Sequence, residues 1–237
     1  MILAALSSSS TTYWYLTRST GAVALILLTL VVVLGVIDVS RLSSGFWPRF
    51  VTDTLHRRVS LLAVAFLGVH ILTAVLDTYA PIGFWDAVIP FHSSYRPLWL
   101  GFGAIAFDML LALMISSIFR SRIGQRSWRA IHWLAYACWP IAVLHGLGTG
   151  SDVKQVWMLV IDGLCVVSVI GAVALRMSLT VTVTRAVRVI GIAMPVAFAL
   201  GLLVWLPGGP LASGWAARAG TPAKLIAHRV TTEAATR

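Results

Sequence analysis

Apolar residues do not alternate with polar ones along this chain. They come in blocks, separated by short stretches where Arg, Gly, Pro and Ser gather. About 20 helical residues cross a hydrocarbon core of about 30 Å, and each block is long enough to do so. Taking the Pro, Gly and Arg clusters as punctuation, spans are expected at 19–37, 56–76, 98–119, 130–148, 155–176 and 187–206. The expected fold class is an all-α membrane protein, a bundle of six transmembrane helices forming one domain over residues 1–206.

Composition agrees. Hydrophobic residues make up 59% of the 237 and charged residues 11%, with a mean hydropathy of +0.90, far from the balance of a soluble domain. A net charge of +10 in a soluble protein would point to nucleic acid. Here the arginines sit between apolar blocks, which is a topology signal, and no nucleic-acid partner is expected. Arg41, Arg49, Arg57, Arg58, Arg120, Arg122, Arg126, Arg129, Arg176, Arg185 and Arg188 fall on one side, against Arg18, Arg96 and Lys154 on the other. Positive-inside asymmetry then places the first, third and fifth links in the cytoplasm and the N-terminus outside. The expected location is the cell membrane, multi-pass, as in the plasma membrane of a bacterium.

The opening MILAALSSSSTTYWYLTR lacks the basic start of a secretory signal, and the apolar run after it is too long for one, so it reads as a retained first span. Residues 207–237, mixing Gly, Pro, Ala and Thr, read as a flexible extracytoplasmic tail. The aromatic link 77–97 reads as a short amphipathic piece at the outer interface. Cys138 and Cys165 both lie inside apolar blocks and behave as small hydrophobes.

The chemistry lies in the histidines. His56 and His70 share the second span, His132 and His145 the fourth. Polar groups in a span are costly and face a bundle interior, a cavity or a cofactor. Haem is the cofactor that takes imidazole, and an iron ligated on both faces suits electron transfer. His56 and His70 are 14 residues apart, about 21 Å along a helix and within about 40° of one face. His132 and His145 are 13 apart, about 20 Å, but about 140° around an ideal helix. Pro140 lies between them, so the fourth span is expected to bend near that proline and bring both imidazoles toward the second span. The two histidine spans run in the same direction, which pairs His56 with His132 near the inner face and His70 with His145 near the outer face.

The runs LHRRVSLLAVAFLGVH and IHWLAYACWPIAVLH resemble the haem-bearing helices of the ferric reductase-like transmembrane domain family. The resemblance covers roughly residues 14–176. It implies two b-type haems on His56, His70, His132 and His145, with His56 and His132 as ligands of the inner iron and His70 and His145 of the outer iron. Reductases of that family usually continue into a flavin and nicotinamide domain, whereas here another apolar span and a short tail follow. The electron donor is then a separate molecule, a membrane quinol or a cytoplasmic reductase, and the acceptor is extracytoplasmic, a flavoprotein or reductase (carrying the flavin on the partner) or ferric iron. Two functions stay open, a membrane oxidoreductase that itself transfers electrons, and a non-catalytic haem-binding anchor for an extracytoplasmic reductase. A non-redox transporter using its histidines as proton sites is a third.

Arg57, Arg58 and Arg129 stand within a turn of His56 or His132, where guanidinium could pair with propionates of the inner haem or simply form the positive-inside cluster. Arg96 and His92 stand similarly toward the outer haem. Asp108 and Asp162 are intramembrane carboxylates and so candidate proton sites. Trp133, Tyr136, Trp139 and Phe66 would pack on porphyrin faces or fill the core. No residue is assigned to catalysis.

Overall fold

A computed structural model describes residues 2–39, 49–179 and 184–227. The linkers 40–48 and 180–183 and the last ten residues, with Arg41, Arg229 and Arg237, lie outside the described residues. In lipid a backbone must satisfy its own N–H and C=O groups, and a chain with these long apolar blocks does so as helices. Among the described residues there are nine helices and no strand. They are α1 (Ile2–Val39), α2 (Arg49–Leu76), α3 (Phe84–Val88), α4 (Pro97–Ile118), α5 (Arg120–His132), α6 (Ala135–Thr149), α7 (Val156–Leu179), α8 (Arg185–Gly208) and α9 (Trp215–Arg218).

Five stretches are long and apolar enough to cross a membrane by themselves: Thr12–Asp38, Phe50–Leu76, Pro97–Ile118, Val156–Leu179 and Arg185–Gly208. α5 and α6 pass the same test only when taken together, with a bend of 45° between them, and make a sixth span if the pair counts as one crossing. The protein is a multi-pass, all-α membrane protein, with span positions close to those the apolar blocks predict.

The fourth span departs from expectation in detail. Its bend falls at Trp133–Leu134, not at Pro140, and α6 continues as helix through the proline. A proline ring collides with the carbonyl four residues earlier, here that of Tyr136, so the distortion is displaced toward the N-terminal side. There the backbone bonds shorten by one residue: Leu134 to Ile131 at 2.9 Å, Tyr136 to Trp133 at 3.1 Å and Ala137 to Leu134 at 3.0 Å. Three-residue turns advance faster around the axis than regular α turns, which rephases His145 against His132.

The chain gathers into two compact units. One comprises Met1–Gly21, Gly68–Ser151 and Ala212–Arg237; the other comprises Ala22–Leu67 and Asp152–Leu211. In the first, α4 packs along α6 and α3 lies on α4; in the second, α7 packs along α8. The 77–97 link does hold a short piece, α3, with Phe84 and Trp85 exposed.

The described part of the tail, to residue 227, makes defined contacts. Trp215 places its indole 5.3 Å from that of Trp99 and donates Nε1–H to the Gly148 carbonyl at 3.3 Å. Gly214 (φ 70°) and Gly220 (φ 89°) take left-handed turns that bring the chain back, and the Gly220 carbonyl accepts from the Arg96 backbone N–H at 3.0 Å. The Arg96 side chain is buried; Nε donates to Thr221 Oγ1 at 2.9 Å, and Nη1 donates to the carbonyls of Gly148 and Thr149 at 3.0 Å. Those are carbonyls of the last turn of α6, which lack intrahelical donors. One cation therefore ties the start of α4, the end of α6 and the tail together.

Candidate functional site

His70 reaches from α2, and His145 from the third turn of α6. Both belong to the first unit, and their ring centroids are 6.4 Å apart with planes at 82°. Each ring is seated in the same way. His70 Nδ1 lies 2.8 Å from the Thr17 carbonyl, and His145 Nδ1 lies 2.9 Å from the Trp99 carbonyl. A carbonyl oxygen can only accept, so Nδ1–H is the donor in both rings, and in a neutral imidazole Nε2 then keeps its lone pair.

A helix carbonyl points toward the residue four positions on, so a ring docked on it lies over that residue. In both cases that residue is glycine. A Cβ on Gly21 would fall 2.9 Å from Nδ1 and Cε1 of His70, and a Cβ on Gly103 would fall 2.5 Å from Nδ1 of His145. No other side chain leaves that room.

His56, in the second unit, repeats the device on a looser scale. Its Nδ1 lies 3.1 Å from the Val31 carbonyl, and a Cβ on Gly35, again four residues on, would fall 3.3 Å from Cε1. His132 is built otherwise. It closes α5 and stacks on Trp128, with centroids 4.8 Å apart and planes at 27°, and none of the described glycines faces it. His56 and His132 fall in different units, so only His70 and His145 form a pair within one unit.

That pair fits haem. A metal–imidazole bond of about 2 Å on each side, plus the two ring radii, sets centroids about 6 Å apart across one ion. Among the described residues no three of His, Cys, Asp and Glu gather in one place. Two imidazoles at that separation would need a metal whose other ligands come with it, as a porphyrin's do.

Residues 20–146 match the family described as ferric reductase like transmembrane component. The chain belongs to that family. Its members generally bind haem and work with flavin and nicotinamide reductase partners. The ferric reductase-like stretch holds His56, His70, His132 and His145 and all three facing glycines, and ends one residue past His145. No curated protein and no solved structure matches the chain.

The other candidates of this ferric reductase-like domain are distributed around it. Arg57 and Arg58 are exposed on α2 just past His56, and Arg129 is exposed on α5 one turn before His132. Arg96 is committed to the carbonyls and Thr221 described above. His92 Nδ1 lies 2.6 Å from Asp86 Oδ1, while Asp86 Oδ2 accepts from the Gly83 N–H at 2.8 Å, so that pair organises the start of α3. Asp108 is half-buried. Asp162 is 8% exposed, with Oδ2 unpartnered, near the Cys165 thiol that hydrogen-bonds with Thr29. Trp139 is buried, while Trp133 and Tyr136 are exposed. The histidine pattern alone does not point to the carbonyls of Thr17, Val31 and Trp99 or to the glycines beside them. One signal was available: Gly21 and Gly35 are separated by 14 residues, the spacing of His56 and His70.

Proposed function

We propose that the chain holds two b-type haems, an outer one between His70 and His145 and an inner one between His56 and His132, and provides a path for electrons across the membrane. The opposed His70 and His145 imidazoles, 6.4 Å apart with both Nδ1 groups taken by backbone carbonyls, carry the reading. Held by these histidines, haem would supply one-electron redox chemistry.

The chain's own part is positional. The carbonyls of Thr17, Trp99 and Val31 fix the tautomer and so direct Nε2 inward. Gly21, Gly103 and Gly35 let the rings reach those carbonyls. Arg96 fixes the end of the helix that carries His145. Apolar spans keep water from the ligands, and Arg57, Arg58 and Arg129 offer cations to the inner propionates. Sidedness follows from the arginine asymmetry: electrons enter from a quinol or a cytoplasmic reductase near His56 and His132. They leave near His70 and His145 to an extracytoplasmic flavoprotein or ferric iron.

Pyridine haemochrome analysis of the purified chain tests the assignment. Two haems per chain are expected, with one lost on His70→Ala or His145→Ala and the other on His56→Ala or His132→Ala. Retention of both haems in all four variants refutes it. Reduction of a ferric chelate from quinol by the purified chain alone then separates electron transfer from anchoring.

A further inference from the structure

The stretch RSRIGQRSWRAIH, between two spans, forms a helix of its own, α5. It carries four arginines and no acidic residue, and no residue in it is buried. Gly124 (φ 79°) interrupts it, and the run from Gln125 onward is regular. At about 100° per residue, Gln125, Arg129 and Arg126 share one arc while Trp128 and Ile131 occupy the opposite one. This is a basic amphipathic helix.

Its depth follows from its neighbours. Guanidinium groups do not settle in hydrocarbon, which keeps α5 out of the bilayer core. Its apolar arc nevertheless continues into exposed apolar surface on both sides: Ile118 and Phe119 at the end of α4, Trp133 (61% exposed) and Tyr136 at the start of α6. Trp and Tyr concentrate at headgroup depth. With its 15 residues, α6 covers only about 22 Å, so the last turn of α5 must enter the interface. The Arg120 guanidinium lies over the Trp128 ring at 4.2 Å and that of Arg122 over Phe119 at 5.6 Å, so cations and aromatic rings meet along one edge of the helix. Among the described residues no acidic side chain pairs with any of these four arginines.

We infer that α5 is a docking surface for anionic phospholipid headgroups, with its arginines on the phosphates and Trp128 and Ile131 among the upper acyl carbons. An acidic soluble protein would answer the charge but not the apolar arc, which runs continuously into the spans.

Native mass spectrometry of the full-length protein, offered equimolar phosphatidylglycerol and phosphatidylcholine in mixed micelles, tests this. The wild-type chain should retain the anionic lipid several-fold over the zwitterionic one. In R122Q/R126Q that preference should fall toward parity, while K224Q, on the tail, keeps it. If the glutamine variant does not fold, R122K/R126K must keep the preference, and raising the salt must reduce it in the wild type. Equal retention of both lipids by the wild type overturns the inference, as does an unchanged preference in R122Q/R126Q or one indifferent to salt. Salt-sensitive binding of polyglutamate by a chain without lipid preference also overturns it and assigns the surface to an acidic protein.

Discussion

In the first unit two imidazoles, His70 and His145, each give Nδ1–H to a helix carbonyl and lean on a glycine four residues along; His132, in the same unit, rests on an indole instead. His56, in the second unit, uses the carbonyl and glycine device at longer range. The difference teaches what orients a histidine inside a bundle. A carbonyl fixes the proton, and a missing side chain fixes the approach; both belong to backbone inside a span and leave the ring little freedom. An indole on an interfacial helix fixes a ring only as firmly as that helix is held. The His70–His145 pair is accordingly the more firmly set of the two proposed ligand pairs.

The comparison breaks most severely when room for the rings is removed. In an ordinary helix interior Gly→Ala stabilises by about 0.5–1 kcal/mol. At Gly103 the new methyl would stand 2.5 Å from His145, so Gly103→Ala is expected to cost most of the outer haem while leaving the inner one. Gly21→Ala, at 2.9 Å, should cost less, and Gly35→Ala, at 3.3 Å, should only perturb the inner haem. Gly68→Ala and Gly163→Ala, where a Cβ meets nothing within 4 Å, are the controls and should keep both. Haem content by pyridine haemochrome reads the series, and a flat response across the three facing glycines would show that the rings are seated by something else.

Trp128→Ala should act next, and on the other half. Without the indole the His132 ring loses its stacking partner, so the midpoint potential and spectrum of the inner haem should shift while those of the outer haem stay put. A redox titration separates the two; a shift confined to the outer haem contradicts the comparison.

Arg96→Gln is expected to be smaller in the haem spectrum and larger in stability. It takes its donor from the half-buried Thr149 carbonyl and leaves the Gly148 carbonyl with Trp215 alone, a cost of about 1–3 kcal/mol, and it frees Thr221. The thermal transition should fall by several degrees and the tail should become open to limited proteolysis. Thr221→Val removes one hydrogen bond, about 1 kcal/mol, and should reproduce the tail's opening in milder form.

How much of this could be read in the chain depends on how local each signal is. Spans are local, since twenty apolar residues announce themselves, and four histidines at matched spacings on two of them mark the proposed ligands. The fold of the tail is not local. Trp215 meets Gly148 across 67 positions and Arg96 meets Thr221 across 125, so Gly214 and Gly220, which make turns, read in isolation as flexible linker. The bend at Trp133–Leu134 was hidden because Pro140 advertises a kink whose strain is relieved several residues upstream. Helix α5 was hidden because four arginines between two spans serve as a topology signal whether or not they are helical. The glycine seats were legible only through the equal 14-residue spacings on α1 and α2, which gain meaning once the rings are seen against them.

The central claim, that His70 and His145 are the two axial ligands of one haem, is tested most directly by low-temperature EPR of the oxidised protein. Imidazole planes at 82° leave the ferric d orbitals nearly degenerate, so the account predicts a highly anisotropic low-spin signal. It should vanish in both His70→Ala and His145→Ala and persist in His56→Ala. A rhombic spectrum of the kind given by parallel imidazole planes, or an anisotropic signal that survives either outer substitution, would contradict it.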